Sequence, residues 1–210
     1  SYGDIPLNYI RNSVKCTINA YTGETKFYVM NEDDPVINVY KKIYPSLFLN
    51  FEEMPDDLKS HLRYPDDLVE IQSYILRDYH MKDVDVFYNK EDRWEKAKEK
   101  YMTQTQDIIP YFIFMKIEDK IEFVNILPMT PTGKSNLIAL FIGRCDKERY
   151  GEVVVYQFSK ETLIYGPLQF EARVDQDAEI SKTLSLWNQQ GSQVIRGNTI
   201  FLLLDSSVLY

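Results

Sequence analysis

Apolar positions recur every second residue in two stretches of this chain and at helical spacing elsewhere. Residues 14–29 alternate apolar and polar side chains around Thr22-Gly23, which predicts a β-hairpin. Between residues 108 and 158, polar punctuation separates four apolar, β-branched runs. We interpret these runs as strands of one mainly antiparallel sheet: "IIPYFIFMKI", "KIEFVNILP", "NLIALFIGR" and "GEVVVYQF".

Helical spacing predominates between these two stretches. Asp34 as N-cap and Pro35 at the first helical position predict a helix over "DPVINVYKKIYP". The strongest helical pattern is "YPDDLVEIQSYILRDYH", whose first turn is acidic. Its buried face is predicted to consist of the regularly spaced Leu68, Ile71, Ile75 and Tyr79. A third helix is predicted after Asn89 in "NKEDRWEKAKEKY", followed by a polar loop at Thr103–Asp107.

The last part of the chain predicts one more helix and a hairpin. The helix runs from Ala178 to Gln190, with Asp177 as N-cap and Gly191 as C-cap. Its predicted inner face is Ile180, Leu184 and Trp187. Gly197-Asn198 is a favoured two-residue turn and predicts a hairpin over "QVIRGNTIFLLL". The final "SSVLY" predicts a strand from Ser207 that lies at a sheet edge or pairs with another element.

Runs of helix followed by runs of strand predict an α+β fold. We expect a mainly antiparallel sheet, with helices of the first half packed against it and one helix near the C-terminus. A chain of 210 residues with 44% hydrophobic content can bury one sizeable core, so we interpret residues 1–210 as a single domain. No apolar run approaches the roughly 18 residues that span a bilayer, so the chain as given is expected to be soluble.

Charge and composition narrow the range of partners. The net charge of -8 repels phosphate backbones, and the densest basic stretch, "RWEKAKEK", contains interleaved glutamates. We interpret that stretch as a solvated helix face and expect no nucleic-acid partner. The 16 tyrosines are typical of packing in a β-rich domain, and they also suit carbohydrate or protein partners.

Metal-binding patterns are weak. Only Cys16, Cys145, His61 and His80 supply sulfur or imidazole ligands, so neither a zinc site nor a disulfide framework is predicted. A single bridge between the two cysteines stays open. "DVDVFYNKED" and "DQDAE" place acids at alternate positions, as calcium loops do, but they lack the glycine of an EF-hand loop. Helix caps and solvated acids are the favoured interpretation, and no metal ligand is assigned.

The stretch "LPMTPTGKSN" contains the Gly-Lys-Ser of a phosphate-binding loop. The first glycine of that motif would stand at position 128, where Pro128 has no N–H to donate. The following residues predict a strand, whereas the motif requires a helix. We therefore expect a turn between two strands, no nucleotide and no cofactor. The side chains that could still donate to another ligand are Thr130, Thr132, Lys134 and Ser135.

Catalytic motifs are not evident in the sequence. His80 could act as an acid or base with Asp78 or Asp83, although a cation at the end of the preceding helix is the favoured interpretation. We assign no catalytic residue, and the ligand-binding residues stay unknown.

Several stretches nevertheless resemble a known family. In order they are "NSVKCTINAYTGETKFYV", "DDP", "LRYPDDL", "VFYN", "LPMTPTGKSNLIA", "YGPLQFEAR" and "DQDAEISKTLSLWNQQGSQVIRGN". Together they resemble an uncharacterised bacterial family, of the UPF type, of large multi-pass integral membrane proteins. The resemblance covers nearly the whole chain. It implies that this segment is part of a large domain on the extracytoplasmic side of the cell membrane, tethered by N-terminal membrane helices that this segment lacks.

The family brings no established catalytic residues, so the resemblance implies none here. We expect a non-catalytic domain that binds or positions a protein or glycan partner at the cell surface. The alternative is a carboxylate-dependent hydrolase of cell-envelope polymers. Such an enzyme needs two acids roughly 5 to 9.5 Å apart in an open cleft.

Overall fold

The computed structural model describes residues 8–102, 104–146, 148–204 and 207–210, and it confirms the α+β class with mostly antiparallel strands. The chain divides into two compact units, Ser1–Pro65 and Asp66–Tyr210. The interpretation of residues 1–210 as one domain stays a prediction. Within the described residues, no helix combines the length and the apolar character that crossing a membrane requires.

The first unit contains a small sheet and a capped helix. The predicted hairpin is confirmed, because β1 (Val14–Ile18) pairs antiparallel with β2 (Thr25–Val29), and β2 also pairs parallel with β3 (Phe48–Asn50). The predicted first helix is confirmed as α1 (Pro35–Ile43). Asp34 caps it by accepting from the N–H of Val36. A short 3-10 helix (Phe51–Glu53) and α2 (Asp56–Lys59) follow.

The second unit is built on a five-stranded antiparallel sheet, and all four predicted apolar strands are present in it. Its strands are β4 (Trp94–Lys96), β7 (Tyr111–Ile117), β8 (Lys120–Pro131), β9 (Ala139–Arg144) and β10 (Val153–Gln157). Two strands outside this sheet, β5 (Lys98–Tyr101) and β6 (Gln104–Asp107), pair with each other.

Strand β8 organises the sheet because it is long enough to pair with three neighbours. One edge pairs with β9, and the other edge pairs first with β7 and then with β4. Successive residues of a strand face opposite sides, so Val124 and Ile126 share one face and Leu127 and Met129 share the other. The first pair belongs to the main apolar core, which Phe201 and the C-terminal segment complete.

The helices of the second unit are α3 (Asp66–Tyr79), α4 (Val84–Asn89), α5 (Pro167–Gln176) and α6 (Ala178–Trp187). The position of α3 was predicted correctly, but the face that it buries was not. The buried residues of α3 are Val69 and Ser73, whereas the predicted Ile75 and Tyr79 are exposed. Asn125 on β8 donates to Asp66 over 2.6 Å, and this bond ties the start of α3 to the sheet.

Residues 90–107 depart most from the prediction. The predictions of a third helix and of a polar loop were both wrong, because β4, β5 and β6 occupy this region. Trp94, Ala97 and Glu99 are buried although charged residues surround them. The N–H of Ala97 donates to Pro128, so pairing with β8 overrides the helical preference of this segment. Thr103 lies outside the described residues.

Three predictions about other turns and ends were wrong. Pro128, the last residue of the predicted strand "KIEFVNILP", lies within β8, because the strand continues to Pro131. Helix α6 is capped by Asp177 as predicted but ends at Trp187, and the predicted inner residues Ile180 and Trp187 are exposed. No strand flanks Gly197-Asn198, where the hairpin was expected.

A hairpin is present closer to the C-terminus than the predicted one. It consists of β11 (Leu202–Leu204) and β12 (Ser207–Leu209). The prediction that the strand from Ser207 pairs with another element is therefore confirmed. The two cysteines are free thiols, with Cys16 exposed and Cys145 buried.

Candidate functional site

The second unit contains a polar cavity of about 470 Å³. Three segments line it: residues 90–93 before β4, residues 131–138 between β8 and β9, and residues 159–163 after β10. This volume lies within the range of roughly 300 to 1,000 Å³ that is typical of small-molecule sites. We refer to this space as the polar cavity.

Backbone hydrogen bonds hold the middle segment against the other two. The N–H of Thr132 donates to the carbonyl oxygen of Arg93 over 2.8 Å. The N–H of Leu137 donates to the carbonyl oxygen of Ile164 over 2.9 Å. Between these anchors, Gly133 has a φ of +73°, and the N–H of Lys134 closes a turn onto Pro131 over 3.0 Å. The predicted turn is therefore present, and it lies at the wall of the cavity.

The wall formed by residues 90–93 is held by one carboxylate that contacts several cations. Asp78, near the end of α3, lies 2.9 Å from Arg93 Nε and 3.6 Å from both Lys90 Nζ and Arg77 Nε. Arg77 in turn stacks over the Tyr74 ring at 3.8 Å. Three cations thus meet one mostly buried carboxylate, so positive charge is only partly neutralised beside the cavity.

His80 lies beside this cluster in a defined orientation. Its ring stacks on the buried Trp94 with centroids 3.6 Å apart, and Nδ1 lies 2.9 Å from the carbonyl oxygen of Leu76. Because a carbonyl only accepts, Nδ1 donates this hydrogen bond. Nε2 lies 4.0 Å from Asp92, which pairs with Lys160 over 2.8 Å. The contact with Leu76 places His80 at the end of α3, and the role of a cation there stays a prediction.

The second wall contains donors that no described residue engages. Lys134 is exposed, and within the described ranges no acidic group lies within ion-pair distance of its ammonium. Thr132, Asn136 and Thr162 also line the cavity. Within the same ranges, no hydrogen bond involves the side chain of any of these three. This wall therefore offers one unpaired cation and several polar side chains to a ligand.

The residues singled out in the sequence divide between two places. Thr132 and Lys134 line the polar cavity, whereas Thr130 and Ser135 line a smaller recess of about 190 Å³ beside Glu95. Lys134 borders both spaces. Sequence reasoning missed Lys90, Arg93 and Lys160, because the segments that carry them are distant in sequence from Lys134.

The acidic repeats serve local roles in the structure. Asp83 caps α4 by accepting from the N–H groups of Asp85 and Val86, and Asp177 caps α6. Asp175 pairs with Lys100 over 2.8 Å and also contacts Arg196. Across the residues that the structure describes, no group of three or more His, Cys, Asp or Glu side chains is placed to hold a metal ion.

A buried acidic pair lies between β5 and α5. Glu99 accepts from the side-chain amide of Gln106 over 3.0 Å, and Glu171 accepts from the backbone N–H of Lys100 over 2.9 Å. Burial, together with the charge of nearby Glu99, raises the pKa of the Glu171 carboxyl above its usual value. The bond from Lys100 to Glu171 joins β5 to α5, whereas the buried Oε2 of Glu99 has no hydrogen-bond partner among the described residues.

Comparison with known proteins identifies the family. Residues 2–187 match the model of the Uncharacterised protein family (UPF0182). The chain belongs to this family. It is 50% identical over 206 residues to a UPF0182 protein of Methanospirillum hungatei and 47% identical over 208 residues to UPF0182 protein sll1060 of Synechocystis sp.. No solved structure matches the chain.

The family members that resemble this chain are much longer than it is. The two alignments each cover 97% of this chain but only 23% and 20% of the Methanospirillum and Synechocystis proteins. The alignment with UPF0182 protein bll7333 of Bradyrhizobium diazoefficiens is similar, with 46% identity over 99% of this chain and 23% of that protein's length. The chain therefore spans between a fifth and a quarter of these relatives.

Proposed function

We propose that this chain is an extracytoplasmic, non-catalytic binding module of a larger multi-pass membrane protein, and that the polar cavity receives its ligand. The observation that carries the binding role is the convergence of polar groups from three separate segments on one cavity of about 470 Å³. The greater length of the UPF0182 relatives supports the view that the module works within a larger protein.

The binding role is tested by screening the intact chain for ligands by heteronuclear NMR. A panel of soluble cell-envelope sugars and peptides should contain a compound that shifts the amide signals of residues 131–138 and 159–163 saturably. If every compound that binds shifts signals elsewhere and leaves these two segments unchanged, the cavity is not the binding site.

The proposed location is tested with the exposed, free thiol of Cys16. In cells that produce the full-length protein, a membrane-impermeant maleimide should label Cys16 without lysis, and Cys16→Ser should abolish that labelling. Labelling only after lysis would place the segment on the cytoplasmic side. The coding sequence upstream of Ser1 supplies a separate check, since it should encode several apolar segments of roughly 20 residues.

A further inference from the structure

The charge of the polar cavity restricts the charge of its ligand. Its lining includes four cations, Lys90, Arg93, Lys134 and Lys160, and three carboxylates, Glu91, Asp92 and Glu161. Lys90 and Arg93 contact Asp78, and Lys160 contacts Asp92. Within the described residues, Lys134 alone among the four has no acidic partner. The lining therefore carries one cation more than it has carboxylates, four against three, and a ligand with about one negative charge matches this excess.

Groups with multiple negative charges match the cavity less well. A phosphate monoester carries nearly two charges at neutral pH, and a nucleoside triphosphate carries more. Phosphate sites commonly use the N–H groups at a helix N-terminus. Here the chain after Lys134 leads into β9, a strand, and Pro128 lacks the N–H of a phosphate-binding loop. A carboxylate carries the single negative charge that one ammonium group balances.

The remaining lining suits a ligand rich in hydroxyl groups. Thr132, Asn136 and Thr162 can each donate and accept hydrogen bonds, and Glu91 and Glu161 add carboxylates that accept from hydroxyls. The exposed Leu163 and the ring of Pro131 supply apolar surface for C–H groups. A pyranose ring presents hydroxyls at its edge and C–H groups on its faces, so both kinds of surface would be used.

Resting on the proposed function, we propose that the polar cavity binds an acidic sugar, with Lys134 pairing with the carboxylate of a uronic acid residue. The hydroxyls of the same residue then bind the threonine, asparagine and glutamate side chains of the lining. A free uronate and a uronate within a polymer share this chemistry, and they are separated by comparing a monosaccharide with an oligosaccharide.

The experiment titrates the intact chain with sodium D-galacturonate, sodium D-glucuronate and a short oligogalacturonide by calorimetry and NMR. D-galactose and inorganic phosphate serve as ligand controls. At least one uronate should bind saturably, with the neutral sugar weaker by about tenfold or more, since it lacks the charge-assisted bond. Tighter binding of the oligosaccharide would indicate a polymer as the natural source.

Two variants with the same change of charge locate the carboxylate. Lys134→Gln should weaken uronate binding by about tenfold or more. Lys182→Gln, on the exposed surface of α6, should change it less than about twofold. Equal effects of the two variants would overturn the role of Lys134.

Failure of this inference can be distinguished from failure of the proposed function. If no uronate binds, or if phosphate binds more tightly in a Lys134-dependent way, the acidic-sugar assignment is wrong. The cavity remains a binding site in that case if any other compound shifts the signals of residues 131–138. If uronates bind but shift only signals outside the cavity, the proposed location of the site is wrong as well.

Discussion

The second unit contains two charged regions that differ in how completely their charges are matched. Arg144 on β9 and Glu122 on β8 are almost fully buried, with side-chain exposures of 2% and 5%. Arg144 Nε donates to Glu122 Oε2 over 2.7 Å, and its Nη2 contacts the other carboxylate oxygen. This hydrogen bonding raises the pKa of the arginine above its ordinary value. Two guanidinium nitrogens of Arg144 thus contact the two oxygens of one buried carboxylate, and its Nη1 lies 3.6 Å from the half-exposed Glu152.

The polar cavity presents the opposite arrangement. Asp78 is shared among three cations, and Lys134 faces the cavity without an acidic partner in the described residues. A buried ion pair with matched charges has no free charge to offer a ligand, and it constrains the sheet. An exposed group of side chains with more cations than anions can bind a further negative charge. The contrast separates charges that maintain the fold from charges that are available for binding.

The largest effect is expected from breaking the buried pair. Glu122→Gln leaves the buried Arg144 guanidinium with only the half-exposed Glu152, at 3.6 Å, as a counter-charge, and we expect a loss of about 3 to 5 kcal/mol in the free energy of unfolding. Chemical denaturation measures it. The control is Glu148→Gln, since Glu148 pairs with Lys120 on the exposed surface at 3.7 Å, and it should cost less than about 1 kcal/mol. Similar losses in both variants would show that burial does not distinguish the two pairs.

A smaller loss is expected at the turn of the polar cavity. Gly133 has a φ of +73°, and no atom lies within 4 Å of a Cβ built there, so the cost of Gly133→Val comes from the backbone alone. We expect a loss of about 1 to 3 kcal/mol. Gly197→Val is a matched control, because Gly197 has equally open surroundings without a positive φ. A loss at Gly197 as large as that at Gly133 would remove the conformational explanation.

The third effect is a change in pH dependence. Burial, with Glu99 nearby, raises the pKa of Glu171 above the ordinary 4.5, so the folded state holds a proton to higher pH than the unfolded state does. The contribution of this carboxyl to stability is therefore present below the ordinary pKa and is lost as the pH rises through the folded-state pKa. Glu171→Gln should flatten this decline in denaturation midpoints measured from acid to neutral pH. An unchanged profile would contradict the assignment.

The smallest effect on stability is expected at Lys134. Because Lys134 is exposed and has no acidic partner in the described part of the chain, Lys134→Ala should change the free energy of unfolding by no more than about 0.5 kcal/mol. Thermal denaturation checks this value. A loss comparable to that of Glu122→Gln would mean that Lys134 supports the fold, and the contrast between the two regions would disappear.

Much of the fold was predictable because apolar periodicity and helix caps are local signals. The hairpin of residues 14–29, the cap at Asp34 and the four apolar strands depend on neighbours in sequence, and all are present. Residues 94–101 were mispredicted because their charged side chains suggested a helix, whereas the pairing of β4 with β8 and of β5 with β6 determines their structure. In α3, tertiary packing selects Val69 and Ser73 rather than the most apolar stripe.

The candidate site was only partly predictable for the same reason. Thr132 and Lys134 belong to a short segment whose turn residues are visible in the sequence. Arg93 and Lys160 come from segments that approach them only when the sheet forms. A single sequence contains no local signal for that approach, so the cavity and its charge balance required the structure.

The stacked rings of His80 and Trp94 provide the cavity wall with an optical reporter. The indole of Trp94 is buried and in contact with the imidazole, whereas Trp187 is exposed, so Trp187→Phe leaves emission from the stacked ring alone. The emission of this variant should respond to any ligand that alters the stacking of His80 on Trp94, without an added dye.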